Sequence, residues 1–340
     1  MKHTNIYDIA KMAGVSIATV SRVVNGSDKV SERTRERVLK VIEESGYTPN
    51  VFAQGLGLDT MHVIGIVVPD ISDNYMSSAV SFLEAGFRKN GYDVILGCSG
   101  FDLKNKSKHV NFLLSKKIDA LVLVGSTYAG SGKSAAETDY IREAAKQVPV
   151  IVINGIVKGD NIHSFVCDDR GAVYSVGTRL IAKGRRRILF ITDSHSYSAQ
   201  QKLAGYKDAL SAAGLPAQRD LIVHAHHNRV HETLDLLSDL SLDFDSAVAT
   251  DDAMAIGILK YCTGRGIRVP EDCDIIGYNN SSLAICCTPE LTSIDSRIER
   301  LSEEAVDGVL RILSGEEVPP QATVPCSLVE RKTTALLGDH

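Results

Sequence analysis

The sequence predicts a small all-α head that contains a helix-turn-helix, followed by an α/β body of two doubly wound subdomains with parallel sheets. Three observations support this fold class. Residues 5–24 show two short helix patterns around Gly14, and residues 31–46 show a third. From Val63 onward, short apolar runs alternate with helical stretches. The length of 340 residues exceeds one ordinary domain and suits two or three units.

The first two helices of the head have polar starts and a glycine between them. Thr4 or Asn5 can cap the first helix, and Gly14 ends it because glycine readily takes a positive φ. Ser16 caps the second helix, and the valines at 20, 23 and 24 face inward. Two outward rows remain on this helix: Ile17 with Ser21, and Ala18 with Arg22.

The third helix of the head begins at Ser31 and ends at Gly46. Its apolar residues are expected to close the small core: Val38, Leu39, Val41 and Ile42. Three helices with a short, tight turn between the first two form a helix-turn-helix.

Charge is distributed unevenly along the chain. The net charge is −5, but residues 1–40 hold eight basic and four acidic side chains, so the remainder carries −9. A basic head on an acidic body is expected when only the head contacts phosphates.

Composition excludes several other classes. The seven cysteines are scattered without a C-x-x-C pair, which indicates reduced thiols in a cytoplasmic protein rather than a zinc site or a disulfide framework. The start of the chain lacks the apolar core of a signal peptide, and no apolar run approaches the ~18 residues that span a bilayer. We therefore expect no membrane contact, no metal and no cofactor.

The segment from Ile6 to Asn25, followed by Tyr47-Thr48-Pro49-Asn50, resembles the head of the lactose/galactose repressor family. The similarity extends over nearly the whole chain, to the segment from Ser327 to Thr334. It implies that Ile17, Ala18 and Arg22 read bases in the major groove. Arginine can bind a guanine edge with two hydrogen bonds, whereas Ile17 and Ala18 offer apolar contacts only. The spacing of Ile17 and Val20 leaves open that Ile17 is a core residue.

The resemblance also implies a set of contacts to the DNA backbone. Hydroxyl and amide side chains suit phosphate oxygens, which fix register without carrying sequence information. The matching positions are Tyr7, Ser16, Thr19, Ser21, Asn25, Ser31, Thr34, Tyr47 and Asn50.

Residues 49–60 match the family's hinge, which becomes a helix on DNA and enters the minor groove. Ala53 and Leu56 belong to this predicted contact, and a leucine matching Leu56 wedges between base pairs in the family. Gly55 and Gly57 each disfavour a helix by about 1 kcal/mol relative to alanine, which suits folding on binding. A plain flexible linker is the alternative.

The body is predicted from eight buried apolar runs that form two series. They are 63–68, 94–96, 120–124 and 150–153, then 188–191, 221–223, 247–249 and 275–278. The resemblance implies a fold like that of periplasmic binding proteins, with the chain crossing between the halves near 161 and 292. The predicted divisions are a head at 1–48, a hinge at 49–60, subdomain one at 61–161 and 293–325, and subdomain two at 162–292 and 326–340.

Ligands of such folds lie beyond the carboxyl ends of the strands, between the halves. Strand-end residues therefore become candidates for binding a small effector: Asp73, Tyr75, Ser126, Asn154, Asp193, Ser198, Lys202, Asp251 and Asn279. Sugar-binding relatives carry carboxylates where Asn154 and Asn279 stand, so the site in this chain is less negative and tolerates a phosphate or carboxylate. They carry an arginine where Lys202 stands, and Lys202 keeps that charge. The asparagines could instead satisfy strand-end backbone. We expect a sugar, a sugar phosphate or a related polar metabolite.

Two other patterns are weaker. Residues 125–134 resemble a phosphate-binding loop, but Thr127 stands where that motif needs glycine, so a surface loop is favoured. The histidines at 224, 226, 227 and 231 lack carboxylate or cysteine partners for a metal, although one could line the cleft. No nucleophile and base pattern indicates catalysis.

The sequence thus predicts a ligand-responsive transcriptional regulator, more readily a repressor than an activator, and not an enzyme. Its expected partners are double-stranded operator DNA, a small effector and a second copy of the chain, since a two-fold dimer suits a pseudo-palindrome. Without a leucine heptad tail, we expect a dimer rather than the tail-made tetramer known in the family. A transport receptor and an enzyme remain the alternative classes.

Overall fold

The computed structural model describes residues 4–24, 27–47, 60–132, 134–225 and 229–336. The chain divides into two compact units, Met1–Val63 and Ile64–His340. The hinge residues 49–59 lie outside the described residues, as do Asn25, Asn50, Ala53 and Leu56.

The first unit contains the three predicted helices: α1 Ile6–Ala13, α2 Ile17–Val24 and α3 Glu32–Ser45. Asn5 caps α1 through a capping box, because its side chain accepts from the Asp8 amide at 3.1 Å while the Asp8 carboxylate accepts from the Asn5 amide at 3.0 Å. Gly14 follows with φ of 61°, as predicted for the residue that ends this helix.

The core of the head is small. Ile9, Val20 and Val38, one from each helix, are fully buried at its centre. Leu39 was predicted to join them, but 48% of its surface is exposed. It follows Val38 directly, and consecutive residues on a helix point about 100° apart, so only one of the two can face this narrow core.

The second unit contains two six-stranded sheets and the helices that cover them. Its strands are β1 Val63–Val68, β2 Asp93–Cys98, β3 Ala120–Val124, β4 Val150–Ile153, β5 Ile162–Cys167, β6 Ile188–Thr192, β7 Ile222–His224, β8 Ser246–Ala249, β9 Asp274–Tyr278, β10 Thr292–Asp295, β11 Gln321–Val324 and β12 Ser327–Val329. Its helices are α4 Asn74–Lys89, α5 Leu103–Leu114, α6 Asp139–Ala145, α7 Asp169–Ala182, α8 Tyr197–Ala212, α9 Val230–Leu240, α10 Asp252–Gly264, α11 Leu283–Cys286 and α12 Ile298–Leu313. All eight predicted strands are present.

The order of the strands is β11-β5-β4-β3-β1-β2 in the first sheet and β12-β10-β9-β8-β6-β7 in the second. All pairings are parallel except that of β10 with β12. This confirms the α/β body with two parallel-sheet subdomains. Each sheet contributes to its own apolar core.

The predicted subdomain boundaries at 161 and 292 are wrong by one strand each. β5 pairs with β4 in the first sheet, where Phe165 faces Ile153, and β10 pairs with β9 in the second. The chain therefore crosses after Cys167, again after Asp295, and a third time between β11 and β12. These strands were missed because polar residues such as His163 and Ser164 interrupt their apolar pattern.

Helices α7 and α8 pack closely in the second subdomain. A Cβ at Gly205 would lie 2.2 Å from the carbonyl oxygen of Arg170, so only glycine permits this approach. The close packing fixes α8, whose first two turns carry Ser198 and Lys202. Across the described residues, no helix has the length and apolar character needed to cross a bilayer.

Candidate functional site

Helix α2 of the head presents its predicted base-reading residues at the surface. Ile17 is 41% exposed, and Ala18 and Arg22 are exposed as well. The placement of Ile17 is therefore that of a surface residue and not of the core residue that its spacing left possible. The hydroxyls of Ser16 and Thr19 lie 2.9 Å apart at the start of the helix.

The predicted backbone contacts occupy both exposed and half-buried positions. Tyr7 and Ser31 are exposed, whereas Thr34 is half-buried. Ser31 stands at the N-cap of α3, but its hydroxyl pairs with the Thr34 hydroxyl at 2.9 Å instead of capping an amide. Tyr47 packs partly against the core of the head, so its ring has a structural role beside the predicted contact.

A cavity of about 500 Å³ lies in the second unit where the ends of both sheets meet. This volume falls in the usual range of ~300–1,000 Å³ for small-ligand sites. All nine predicted effector residues line it: Asp73, Tyr75, Ser126 and Asn154 from the first subdomain, and Asp193, Ser198, Lys202, Asp251 and Asn279 from the second. Parallel strands bring these residues together because their carboxyl ends share one edge of each sheet.

Asp251 and Asn279 form one side of the cavity. The Asn279 amide donates to the Asp251 carboxylate at 3.1 Å, and the other carboxylate oxygen accepts from the Ala253 amide at 2.8 Å, capping α10. Burial, together with the nearby carboxylates of Asp252 and Asp73, raises the pKa of Asp251 to about 8. At neutral pH this carboxyl keeps its proton and can donate a hydrogen bond.

Asn154 and Asn279 both follow strands with positive φ, 63° and 89°. Asparagine tolerates this region better than most residues, so the backbone gives one reason for amides at these positions. The side-chain oxygen of Asn154 does not serve the backbone, however, because this Oδ1 atom is buried without a partner among the described residues.

Two further buried polar atoms in the lining also have no partner in the described structure. The Ser198 hydroxyl stands on the first turn of α8, with 3% of the residue exposed, and the Tyr75 hydroxyl stands on the first turn of α4. An unpaired buried polar group costs about 1–3 kcal/mol. Groups of this kind facing a cavity from both subdomains are typical of a site completed by a ligand.

Lys202 lies on the floor of the cavity. Its ammonium donates to the Thr250 carbonyl at 3.2 Å and lies 3.5 Å from the centre of the Tyr278 ring. The Tyr278 hydroxyl donates to the buried Asp169 at 2.5 Å. The lysine is thus held in place before any ligand arrives, with part of its hydrogen-bonding capacity used by the protein.

Other lining residues were not predicted. Arg229 brings a second cation, and Phe101 brings an exposed ring. Phe101 follows β2 closely, so a stricter use of the strand-end rule would have found it. Arg229 lies before α9, where the four nearby histidines drew attention instead.

The weaker sequence patterns gain no support. Ser126–Ala129 is a short 3₁₀ helix lining the cavity, whereas Lys133 lies outside the described residues. The rings of His195 and His224 are 4.6 Å apart, and burial lowers the pKa of His224. The described residues contain no group of three or more His, Cys, Asp or Glu side chains placed to hold a metal ion, and His226 and His227 are not among them.

A helical head with an exposed reading helix, joined to a body with a ligand cavity, defines a DNA-binding regulator with a sensor domain. Residues 5–50 match the bacterial regulatory proteins of the lacI family, and residues 178–334 match a periplasmic binding protein-like domain. An HTH-type transcriptional regulator of Lachnoclostridium phytofermentans is 47% identical over 333 residues, covering 97% of this chain and 99% of the relative.

Solved structures are similar over the same length. The Lac repressor dimer bound to operator and the anti-inducer ONPF has a TM-score of 0.84 at 24% identity, covering 98% of this chain and 99% of that one. The complex of the transcriptional regulator CelR with cellobiose has a TM-score of 0.70 at 25% identity, covering 97% and 99%.

The chain belongs to the lacI family of bacterial transcriptional regulators, with a DNA-binding domain and an effector-binding domain. This confirms the prediction of a regulator rather than an enzyme.

Proposed function

We propose that the protein is a repressor that binds a pseudo-palindromic operator as a homodimer. Its affinity for the operator falls or rises when a small polar effector binds in the cavity. The exposure of Ile17, Ala18 and Arg22 on α2 supports base reading by this helix. Two heads related by a two-fold axis would each read one half-site. A regulator of this kind works in the cytoplasm, where bacterial DNA lies.

The effector we propose is a sugar, a sugar phosphate or a related hydroxylated metabolite. One observation carries this proposal: Asn154 and Ser198 line one cavity from opposite subdomains, and each buries a polar atom without a partner among the described residues. Hydroxyl groups both donate and accept, so a sugar can satisfy the Asn154 oxygen and the Ser198 hydroxyl together. The related CelR structure holds cellobiose, which supports a carbohydrate in this fold.

The charges of the lining residues favour an effector that binds mainly through its hydroxyl groups. The acidic residues Asp70, Asp73 and Asp193 outnumber the basic residues Lys202 and Arg229, even without the protonated Asp251. Carboxylates accept from pairs of sugar hydroxyls, and the protonated Asp251 can donate to a ring oxygen. If the effector bears an anionic group, that group belongs beside Arg229 and Lys202.

The position of the cavity between the subdomains can couple effector binding to DNA binding. A ligand that contacts Asn154 in one subdomain and Ser198 in the other favours one angle between them. A ligand shifts an equilibrium between two subdomain angles only if it binds one of them more tightly than the other. Contacts with both subdomains provide this difference, and so link effector binding to a change in DNA affinity.

A thermal-shift screen of the full chain against neutral sugars, sugar acids and sugar phosphates tests the proposal. We expect at least one of these compounds to raise Tm in proportion to the logarithm of its concentration. Asn154→Ala should abolish the shift, whereas Asn111→Ala, on the exposed face of α5, should keep it. A shift that survives Asn154→Ala and Ser198→Ala alike places binding elsewhere and contradicts the assignment.

A further inference from the structure

Two thiols meet where the chain crosses between the subdomains. Cys167 is the last residue of β5, and Cys326 lies between β11 and β12, so they stand on two different crossover segments. Cys167 is paired in register with Val324, and the Asp168 amide donates to the Val324 carbonyl at 3.0 Å. This pairing holds the two segments side by side, with the two thiol groups close enough to shift each other's pKa.

The thiol pair also contacts the third crossover and the cavity floor. The Cys167 thiol donates to the carbonyl oxygen of Ser296 at 2.9 Å, just after β10. The Cys326 sulfur lies 3.5 Å from the hydroxyl of Tyr278, the residue whose ring carries Lys202. All three crossovers and the cavity lysine therefore converge on this pair.

The two thiols have different environments. Cys326 is half-buried, and the neighbouring Cys167 side chain lowers its pKa, with a smaller contribution from Tyr278. Cys167 is buried, and the neighbouring Cys326 side chain together with burial raises its pKa. Since the thiolate is the reactive form, Cys326 suits the role of the attacking sulfur and Cys167 that of the resolving sulfur.

We propose that Cys167 and Cys326 form a reversible disulfide in the presence of a hydroperoxide, and that this bond locks two of the three crossovers together. The Cys326 thiolate attacks hydrogen peroxide, forming a sulfenic acid and releasing hydroxide. The Cys167 sulfur then attacks that sulfenic sulfur, forming the S–S bond and releasing water. Overall, two thiols lose two protons and two electrons, the peroxide becomes two molecules of water, and a dithiol reverses the reaction.

A bond between crossovers would restrict rotation of the subdomains about these segments. It would also remove the Cys326 thiol from the Tyr278 hydroxyl, beside the floor of the cavity. An effect of oxidation on the response to an effector rests on the proposed function. Formation of the disulfide does not.

The test is peptide mapping of the full chain after hydrogen peroxide treatment, without reduction. We expect the intact mass to fall by two hydrogen atoms and a linked pair of peptides to carry Cys167 and Cys326, both reversed by dithiothreitol. In the Cys167→Ser variant, Cys326 should instead be trapped by dimedone as a sulfenic acid.

Cys262 and Cys273 provide an internal control. These thiols also shift each other's pKa, but both are fully buried in the second subdomain, so peroxide should not link them. Absence of the 167–326 link under conditions that oxidise the exposed Cys98 overturns the proposed site.

Hydrogen exchange tests the lock separately. Amides of residues 168–172 and 326–329 should exchange more slowly in the oxidised protein, and the Cys167→Ser variant should show no such change. A linked protein with unchanged exchange would contradict the lock. Neither measurement depends on DNA or an effector, so their failure is distinct from failure of the proposed function.

Discussion

The ammonium of Lys202 lies 3.5 Å from the centre of the Tyr278 ring, on the floor of the cavity between the subdomains. A cation over an aromatic face gains about 0.5–2 kcal/mol, more when it is desolvated. The hydroxyl of the same ring donates to Asp169, the first residue of α7 after the first crossover. The lysine predicted to hold a ligand is therefore connected through one side chain to a segment that must bend if the subdomains rotate.

Tyr278→Phe tests the structural part of this connection. The substitution removes the hydroxyl that donates to Asp169, whose second oxygen is already buried without a partner among the described residues. We expect a loss of about 1–3 kcal/mol in the free energy of unfolding, measured by urea denaturation. Tyr174→Phe, which removes a hydroxyl from an exposed side chain, should change it far less. Equal effects of the two substitutions would show that the hydrogen bond from the Tyr278 hydroxyl to Asp169 does not contribute to the free energy of unfolding.

Asp251 gives a pH dependence with a definite sign. Its pKa is raised to about 8 in the folded protein, compared with about 3.9 for an ordinary aspartate. Between these values the folded state keeps a proton that the unfolded state has lost, so this group's contribution to stability falls as pH rises.

Asp251→Asn removes that titration. The stability of the variant relative to the natural protein should rise from about pH 5.5 to about pH 7.5, by at most about 1.4 kcal/mol per pH unit. Ser126→Ala removes an uncharged cavity hydroxyl and should shift stability equally at both pH values. A difference for Asp251→Asn that stays constant with pH, in urea denaturation, would contradict the raised pKa.

Asp274 is a buried carboxylate shared by two cations. Lys183 and Arg185 each contact one of its oxygens at 2.6 Å, and its own side chain is fully buried. Asp274→Ala should destabilise the second unit by about 3–5 kcal/mol, because Arg185 loses its partner in a largely buried place. Asp272→Ala breaks a pair of the same length with Arg268, but both partners are well exposed, so its loss should be much smaller. Similar denaturation midpoints for the two variants would show that burial does not set the cost.

Apolar periodicity was enough to predict the fold class and the strands with continuous apolar runs. It failed for β5, β10, β11 and β12, the strands next to the three crossovers. The strand Thr292–Asp295 is mostly polar, yet its first three residues are buried. Their polar groups find hydrogen-bond partners inside the protein, as the Thr292 hydroxyl does with the Thr334 hydroxyl. A sequence pattern cannot show that a polar residue will find such a partner.

The nine predicted cavity residues were found by one rule, that ligands lie beyond the carboxyl ends of parallel strands. Arg229 was missed although it too follows a strand, Ile222–His224, because nothing in its spacing distinguishes it from a surface cation. Contacts between distant segments also lay beyond the sequence. Nothing in the spacing of Cys167 and Cys326 shows that β5 and β11 become neighbours, since the register of a parallel sheet depends on the whole fold.

Arg22 is the one predicted reader able to make strong polar contacts with a base. Arg22→Ala should weaken binding to the protein's own promoter DNA by about ten- to a hundredfold, since a bidentate contact is worth about 1–3 kcal/mol of discrimination. Binding to random DNA should change much less. Lys40→Ala, on the exposed face of α3, is the matched control in the same head. Equal losses on both DNAs would assign Arg22 to phosphate contact only.

Fluorescence anisotropy with the protein's own promoter DNA and with random DNA tests the central claim most directly. We expect affinity for the promoter fragment to exceed that for random DNA by about a thousandfold or more and to fall steeply as salt rises. A compound that raises Tm through Asn154 should then change the promoter affinity alone. Equal affinity for both DNAs with no dependence on salt would contradict the assignment of this protein as a ligand-responsive, sequence-specific regulator.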